Sequence, residues 1–292
     1  MAEVVREIDA LRAVVRRARQ QGQVIGFVPT MGALHEGHLS LIRTARRETG
    51  FVVVSIFVNP TQFGPGEDYE RYPRMLDQDV PAAESAGADL IFAPTVEALY
   101  PPGSVTYVVQ DRLTERLCGL SRPTHFHGVC TIVAKLFHLV QPDIAYFGQK
   151  DYQQSVIIRR MVVDLNFPVE IRVCPTVREP DGLAMSSRNR YLTPAERAQA
   201  VCLYRALKRA EALVHGGERR AHVIQAAMQD EIAQAPLARA EYVALVHPDT
   251  LEDVQEVTEG TVAALAVRFP SARLIDNLIL RAPAATASGQ GK

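Results

Sequence analysis

The chain has 292 residues, 47% hydrophobic and 22% charged, with a formal net charge of -1. This composition is typical of a globular protein with a sizeable apolar core, organised as one large domain or two ordinary ones. No basic excess is present for following a nucleic-acid backbone, and no signal peptide or apolar run of about 18 residues is evident. We therefore expect a cytoplasmic protein that binds neither nucleic acid nor membrane.

The four cysteines form no CxxC pair, and the chain is too long to need disulfides for its stability. We expect each of them to be a small, reduced core residue rather than a metal ligand or a nucleophile. They are Cys118, Cys130, Cys174 and Cys202.

Apolar residues at helical spacing from Val4 to Ala18 predict an amphipathic first helix that ends near Gly22. The next run, residues 24–28, is apolar on both faces and is stopped by Pro29, which predicts a central strand of a parallel sheet. The chain then continues with a predicted loop at 30–38, a helix at 39–49 and a second buried strand at 51–58.

The alternation of strand and helix continues along the chain. The next predicted elements are a strand at 89–92, a helix at 129–140, a strand at 144–147, a helix from Tyr152 and a strand at 169–177. This pattern predicts an α/β fold, a Rossmann-like doubly wound parallel sheet, over residues 1–176.

After Arg178 the pattern changes. Two long helical stretches, 193–215 and 218–234, are followed by strand-like runs at 242–246 and 261–267. We expect a second, smaller α+β domain over residues 177–282. Residues 283–292 are small and polar, and we expect them to form a disordered tail.

The strongest motif is PTMGALHEGH at residues 29–38, between a buried strand and a helix start. A helix N-terminus attracts phosphate, and two imidazoles three residues apart add donors on one face, which indicates a polyphosphate site. Two alternatives stay open from these residues alone. His35 and His38 could pack at a helix cap, or they could form a zinc pair that lacks its usual third ligand.

A second motif, MSSRN at residues 185–189, lies in a loop after the last strand of the predicted sheet. Two hydroxyl groups and the Arg188 guanidinium suit a polyphosphate tail, although such a loop is also typical of a simple polar turn. Residues 35–38 have the pattern HxGH. Together with that pattern, the MSSRN loop resembles the second signature of class I aminoacyl-tRNA synthetases, in which the loop closes over a triphosphate. Arg188 stands in place of the usual lysine.

Two further motifs follow predicted strands. FGQKDYQQ at 147–154 places Lys150 for phosphate and Gln154 for a small polar substrate, with a simple cap by Asp151 as the alternative. FVNPTQFG at 57–64 offers the amides of Asn59 and Gln62 to hydroxyl and carboxylate groups, with a capped turn as the alternative.

Weaker signals concern metals. Asp77 and Asp79 are candidates for Mg²⁺ held together with phosphate oxygens, and a solvated acidic helix face is the alternative. His125 and His127 resemble a metal pair, but we expect loop packing or a phosphate contact from them. Neither GxxxxGK[ST] nor GxSxG occurs in the sequence, which excludes a P-loop ATPase and argues against an α/β-hydrolase.

Four segments in this order, residues 29–38, 57–64, 147–154 and 177–192, resemble the pantothenate synthetase (pantoate–β-alanine ligase) family. The second and third segments are far more specific to that family than HxGH. The resemblance implies condensation of (R)-pantoate with β-alanine and cleavage of ATP to AMP and pyrophosphate. It also implies a Mg²⁺-dependent, cytoplasmic homodimer.

The resemblance also implies roles for individual residues. His38 is the proton donor, and His35, Lys150 and Arg188 offset charge on the phosphates. Pantoate contacts Gln62 and Gln154, and Gln62 also contacts β-alanine. From the motifs themselves rather than from the resemblance, Asn59 is a further candidate substrate contact and Asp79 is the candidate metal ligand. The implied ATP site consists of Met31, Gly32, Ala33, Leu34, His35, Glu36, Gly37, His38, Gly148, Gln149, Lys150, Asp151, Val177, Met185, Ser186, Ser187 and Arg188. Gln149 departs from the family pattern, in which glutamate is common.

Two other functions compete with this interpretation. Another HxGH transferase, such as pantetheine-phosphate adenylyltransferase, would share the first motif without FVNPTQFG and GQKDYQQ. A nucleotide-sensing module would bind ATP without releasing pyrophosphate. A tRNA synthetase is disfavoured by the small second domain.

The segment 64–74 and the second domain are candidate lids that would protect a hydrolysis-prone adenylate.

Overall fold

A six-stranded parallel sheet carries the first part of the chain in the computed structural model, which describes residues 2–281. Its strands are Glu3–Val5 (β1), Ile25–Thr30 (β2), Phe51–Ile56 (β3), Leu90–Phe92 (β4), Ile144–Gly148 (β5) and Glu170–Cys174 (β6). They lie in the order β1-β4-β3-β2-β5-β6, and every neighbouring pair is parallel. The predicted disordered tail, residues 283–292, lies outside the described residues.

The order of the strands reverses at β2. From this strand the chain moves to β3 and β4 on one side of the sheet, and later to β5 and β6 on the other. The gap between the carboxyl ends of β2 and β5 is therefore the topological switch point, where open α/β sheets bind their ligands.

Helices cover both faces of the sheet. They are Ile8–Gln20 (α1), Glu36–Glu48 (α2), Leu76–Ser85 (α3), Val96–Leu99 (α4), Cys118–Ser121 (α5), His125–Val140 (α6) and Tyr152–Asp164 (α7). Val28 of β2 belongs to a buried cluster with Leu41 and Ile42 of α2. Phe27, on the opposite face, meets Phe137 of α6 edge to face, with the ring centres 6.4 Å apart. The predicted Rossmann-like fold class is confirmed.

Several predicted boundaries in this part of the chain were wrong. α2 begins at Glu36 and α6 at His125, each before its predicted start, and β6 ends at Cys174. Two further differences are explained by strand pairing. Val4 lies in β1 rather than in the first helix, because residues 3–5 pair with β4. Pro29 does not end β2, which continues to Thr30 alongside β3. The carbonyl of Thr30 faces β3, where it accepts the N–H of Phe57 at 3.0 Å. Alternate residues of a strand face opposite neighbours, so the missing N–H of Pro29 falls on the β5 side, beyond the last paired residue.

The second part of the chain combines three helices with an antiparallel sheet in the order β7-β8-β9. The elements are Pro194–Ala200 (α8), Cys202–His215 (α9), Ala221–Ala233 (α10), Arg239–Val246 (β7), Val262–Arg268 (β8) and Arg273–Ile279 (β9). Leu203 of α9, Ile224 of α10 and Leu265 of β8 share one buried apolar cluster. The smaller α+β part is thus confirmed, although the predicted helix 193–215 is two helices and β9 was missed.

The chain divides into two compact units that do not follow a single cut. Of the described residues, the first unit contains 2–179 together with Ala184–Ser187, and the second contains Pro180–Leu183 together with 188–281. The functional division into 1–176 and 177–282, with the latter as a lid, stays a prediction.

Among residues 2–281, no helix is long and apolar enough to span a membrane.

Candidate active site

The carboxyl ends of β3, β2 and β5 lie side by side, because β2 pairs with both of the other strands. One sequence motif follows each end: 57–64 after β3, 31–38 after β2 and 149–154 after β5. Residues 184–187, which include the start of the MSSRN motif, belong to the same compact unit as these three motifs. Three segments predicted to bind ATP or the acid substrate therefore meet around the switch point.

His35 and His38 are held by backbone N–H groups at the start of α2. His35 is the N-cap residue, and its Nδ1 accepts the N–H of Gly37 at 3.1 Å. Nδ1 of His38 accepts the N–H of His35 at 3.4 Å, and the ring centres are 4.1 Å apart. Because Nδ1 is an acceptor in both rings, each neutral imidazole carries its proton on Nε2. A Cβ on Gly37 would lie 2.8 Å from Cε1 of His35, so this glycine makes room for the ring.

The imidazole of His38 is neutral at physiological pH. Burial, reinforced by the positive charge of Lys150, lowers the pKa of His38 from 6.5 to about 4. The fixed positive charge at this site belongs to Lys150, whose Nζ lies 3.7 Å from Oδ2 of Asp151. Neutral N–H donors beside a lysine, at a helix N-terminus, form a site suited to phosphate oxygens.

The loop before α2 has an unusual backbone that is held by Asp79. Gly32 and Ala33 both adopt the left-handed conformation, with φ of 79° and 50°. Two successive amides point at one carboxylate: the N–H of Ala33 donates to Oδ2 of Asp79 at 2.8 Å, and the N–H of Leu34 donates to Oδ1 at 2.7 Å. Asp79 itself is buried on α3.

Part of the MSSRN motif packs against this loop. The backbone N–H of Met185 donates to the carbonyl of Val177 at 3.0 Å. The hydroxyl of Ser187 donates to the carbonyl of Ala33 at 3.2 Å, and it accepts a hydrogen bond from the hydroxyl of Tyr72 at 3.5 Å. Two segments about 150 residues apart in sequence therefore share one hydrogen-bond network. Ser186 and Arg188 are half-buried, and Arg188 belongs to the second unit.

The side-chain amide of Gln62 has a defined orientation. Its Nε2 lies 2.9 Å from Sδ of Met31, and its Oε1 accepts a hydrogen bond from Nδ2 of Asn59 at 3.1 Å. Met31 belongs to the first motif, so Gln62 connects the segment after β3 with the segment after β2. The predicted substrate contact is thus placed directly beside the predicted ATP segment.

Asn59 is almost fully buried, and protein groups engage its entire amide. Nδ2 donates to Gln62 and to the carbonyl of Gly128, the latter at 3.1 Å. Oδ1 accepts the hydroxyl of Tyr100 at 3.0 Å and the hydroxyl of Thr61 at 2.9 Å. This geometry favours Asn59 as the residue that orients Gln62.

The backbone of Gln62 is fixed from α6 and the turn before it. Nδ1 of His125 lies 2.8 Å from the carbonyl oxygen of Gln62, and the guanidinium of Arg122 donates to the same oxygen at 3.2 Å. The guanidinium of Arg122 also donates two hydrogen bonds to the carboxylate of Glu67, at 2.7 and 2.6 Å. Burial opposes the charge on Glu67, but the hydrogen bonds and charge of Arg122 hold its pKa below the ordinary value.

The two neighbouring glutamines of the GQKDYQQ motif differ in their surroundings. Gln153 is buried, accepts the N–H of Cys118 at 3.0 Å and donates to two carbonyls, those of Leu113 and Arg116. Gln154, the predicted pantoate contact, is half-buried. The turn Gln149–Asp151 leads from β5 into α7, and the side chain of its last residue makes no capping hydrogen bond.

No ready-made metal cluster accompanies these residues. Among the described residues, no three His, Cys, Asp or Glu side chains lie close enough together to hold an ion. Asp77 is exposed, as expected for a solvated helix face, whereas Asp79 is buried against the loop. Glu36 pairs with Arg43 within α2. The metal role of Asp79 stays a prediction.

Sequence reasoning missed the residues that support the site. Glu67, Tyr100 and Gln153 drew no attention because each acts on a partner at least 35 residues away. The one available signal was polarity in otherwise apolar surroundings, and many exposed side chains share it.

Comparison with known proteins decides the family. The family model described as pantoate-beta-alanine ligase matches residues 3–279. A pantothenate synthetase from Moorella thermoacetica is 56% identical over 278 residues, which covers 95% of this chain and 98% of the relative. This chain belongs to the pantoate–β-alanine ligase family.

Solved structures of pantoate–β-alanine ligases agree with this assignment. The Thermus thermophilus enzyme superposes with a TM-score of 0.92 at 51% identity, covering 96% of this chain and all of that one. The Francisella tularensis enzyme, complexed with beta-gamma ATP and beta-alanine, gives 0.80 at 35% identity, covering 96% and 98%. The predicted family and ligase class are confirmed, and the alternative of a different HxGH transferase is wrong.

Proposed function

We propose that this ligase condenses (R)-pantoate with β-alanine and cleaves ATP to AMP and pyrophosphate. The observation that carries the proposal is the pair of Nε2–H imidazoles beside Lys150 at the switch point, with Gln62 hydrogen-bonded into the same segment. The Francisella tularensis relative, complexed with beta-gamma ATP and beta-alanine, supports the same pair of ligands for this chain.

In the first step, a carboxylate oxygen of pantoate attacks the α-phosphorus of ATP. The bond from that phosphorus to its bridging oxygen breaks, so pyrophosphate leaves and pantoyl-adenylate remains. His35, His38 and Lys150 stabilise the charge that develops on the phosphate oxygens, together with Ser186, Ser187 and Arg188. The protein acts mainly by positioning and by electrostatic stabilisation.

His38 acts in this step as a hydrogen-bond donor from a neutral ring. Its Nδ1 faces the backbone N–H of His35, so Nε2–H is the group available for a phosphate oxygen. The negative charge of a bound polyphosphate raises the pKa of a nearby imidazole, because it favours the protonated form. The proton-donor role implied by the family resemblance therefore develops with nucleotide bound.

In the second step, the neutral amine of β-alanine attacks the carbonyl carbon of pantoyl-adenylate. The bond between that carbon and the phosphate oxygen breaks, AMP leaves, and the amine proton passes to solvent or phosphate. Gln62 and Gln154 hold the hydroxyl and carboxylate groups of pantoate, and Gln62 also contacts β-alanine. The segment 64–74 and the second unit serve as the lid that keeps water from the adenylate.

Mg²⁺ would enter with the nucleotide as Mg–ATP. This mode fits a site in which the described residues form no cluster of metal ligands, because protein-bound Mg²⁺ often keeps several waters and substrate oxygens. A cation bound with ATP would neutralise phosphate charge, and His35, His38 and Lys150 would orient the same phosphates.

The ligase works in the cytoplasm as a homodimer. Support for the dimer comes from residues 104–110, SVTYVVQ, a β-prone segment that is not part of either sheet. Val105, Tyr107 and Val109 alternate along it, and each is more than half exposed, at 82%, 58% and 56%. An exposed, alternating apolar segment is suited to pairing with the same segment of a second copy.

The test is pyrophosphate release with Mg–ATP, (R)-pantoate and β-alanine. We expect sustained pyrophosphate release only when both (R)-pantoate and β-alanine are present. One AMP should form for each pyrophosphate released. Lys150→Ala should lower the rate about 100-fold or more while the unfolding transition is preserved, as for loss of one oxyanion donor. Near wild-type release by this variant, or release without pantoate, would contradict the proposal.

A further inference from the structure

Hydrogen bonds hold the loop 31–34 against α3 and against residue 187. Both carboxylate oxygens of Asp79 accept backbone N–H groups from successive residues, Ala33 and Leu34, at 2.8 and 2.7 Å. Asp79 is only 3% exposed, so water cannot replace these bonds easily. The sequence made Asp79 a candidate metal ligand, with a solvated helix face as the alternative, and in the structure its carboxylate accepts two backbone hydrogen bonds.

The loop needs an external partner for its conformation. Ala33 has a φ of 50°, which a residue with a Cβ adopts only when its surroundings enforce it. Successive backbone N–H groups in a turn can point towards one side and form a concave anion site, and here the N–H groups of Ala33 and Leu34 do so. The carboxylate of Asp79 fills that role from within the protein.

Gly32 shows how closely the carboxylate approaches. A Cβ on Gly32 would lie 2.9 Å from Oδ2 of Asp79 and 3.0 Å from Cγ2 of Ile56. The left-handed backbone of Gly32, with a φ of 79°, and its lack of a side chain are therefore both required for the contact.

The same peptide segment is held from its other side by Ser187, whose hydroxyl donates to the carbonyl of Ala33. Asp79 thus fixes the N–H of Ala33, and Ser187 fixes its carbonyl oxygen. Two residues later the chain reaches His35, whose own N–H sets the tautomer of His38. A shift of this loop would move both imidazoles away from the phosphates.

We propose that Asp79 is a positioning residue for the nucleotide-binding segment Met31–His38, and that it acts through the amides of Ala33 and Leu34 rather than through a metal ion. The proposal rests on the assignment of that segment to ATP. A divalent cation bound to these oxygens would lie against two N–H groups that point at the same carboxylate, and their partial positive charges would repel it.

The experiment compares Asp79→Asn with Asp77→Asn, a matched change two residues earlier on the exposed side of α3. Binding of a non-hydrolysable ATP analogue is measured by calorimetry in EDTA, without any divalent cation. The positioning role predicts that Asp79→Asn weakens metal-free binding about 10-fold or more, because its amide NH₂ would meet an N–H donor, while Asp77→Asn binds like wild type.

A magnesium titration of activity at saturating nucleotide separates the two roles. The positioning role predicts the same Mg²⁺ midpoint for Asp79→Asn and wild type, with a reduced maximum. If Asp79→Asn binds the analogue normally in EDTA but needs much more Mg²⁺ for activity, the carboxylate is a metal ligand and the proposal is overturned.

A second measurement uses only the wild-type protein, in case Asp79→Asn does not fold. Hydrogen exchange of the peptide covering residues 32–36 is followed with and without Mg²⁺ in the absence of nucleotide. Unchanged protection is expected, whereas faster exchange with Mg²⁺ alone would show a cation competing for the carboxylate. If wild type binds the analogue but releases no pyrophosphate with pantoate, the proposed function fails while this test of Asp79 still stands.

Discussion

Acid should destabilise this protein through His38. The pKa of the folded-state imidazole is lowered from 6.5 to about 4, first by burial and then by Lys150. Between these two values the unfolded chain binds a proton that the folded chain does not bind. Stability therefore falls as the pH falls through this window, by up to about 1.4 kcal/mol for each pH unit.

The magnitude at a practical pH follows from the same values. Lowering the pH from 7.5 to 5 leaves folded His38 neutral, while an unfolded histidine becomes almost fully protonated. The resulting loss is up to about 2 kcal/mol, with some reduction because the ring keeps partial contact with solvent. At pH 7.5 the contribution is close to zero.

The assay is urea unfolding of wild type, His38→Gln and His222→Gln at both pH values. Glutamine does not titrate, so wild type should lose up to about 2 kcal/mol more stability than His38→Gln on acidification. His222 is exposed on α10, and its variant should follow wild type. If the stability difference between wild type and His38→Gln is the same at both pH values, the assignment of a neutral imidazole to His38 in the folded chain is refuted.

Three other outcomes are expected. Lys150→Met should raise the pKa of His38 in an NMR titration without restoring it to 6.5, because burial is the larger cause. Asn59→Ala should release the amide of Gln62 and raise KM for pantoate about 10-fold, consistent with about 1.4 kcal/mol, with little change in KM for ATP. A thiol reagent should label the four cysteines only after the chain unfolds, because all four thiols are buried: Cys118, Cys130, Cys174 and Cys202. Burial also raises the pKa of Cys130 to about 12 and that of Cys202 to about 11.

Local sequence patterns predicted most of the first unit. Strands such as β2 and β3 are apolar on both faces, and α2 follows a loop with clear cap residues, so their type depends on neighbouring residues alone. β1 escaped prediction because three residues carry no period, and only pairing with β4 makes them a strand. β9 escaped because Asp276 and Asn277 interrupt its apolar pattern, although both side chains are buried.

In the site, too, residues in local motifs could be predicted, whereas contacts between residues distant in sequence could not. The motifs that begin at strand ends, including His35, His38 and Lys150, were evident because their spacing is local. The partners of Gln62 were not, since Arg122 and His125 are about 60 residues away and reach its carbonyl only in the folded chain. The contact of Asp79 with Ala33 spans 46 residues and depends on a left-handed conformation of Ala33, which alanine rarely adopts and the sequence therefore does not indicate.

The central claim, an adenylate formed from pantoate and ATP, is tested most directly by isotope exchange between labelled pyrophosphate and ATP. The assay contains Mg–ATP and (R)-pantoate and omits β-alanine, so that the second step cannot occur. The account predicts label in ATP only when pantoate is present, and its loss in Lys150→Ala. Pantothenate formation without any pantoate-dependent exchange, or exchange that persists without pantoate, would contradict the account.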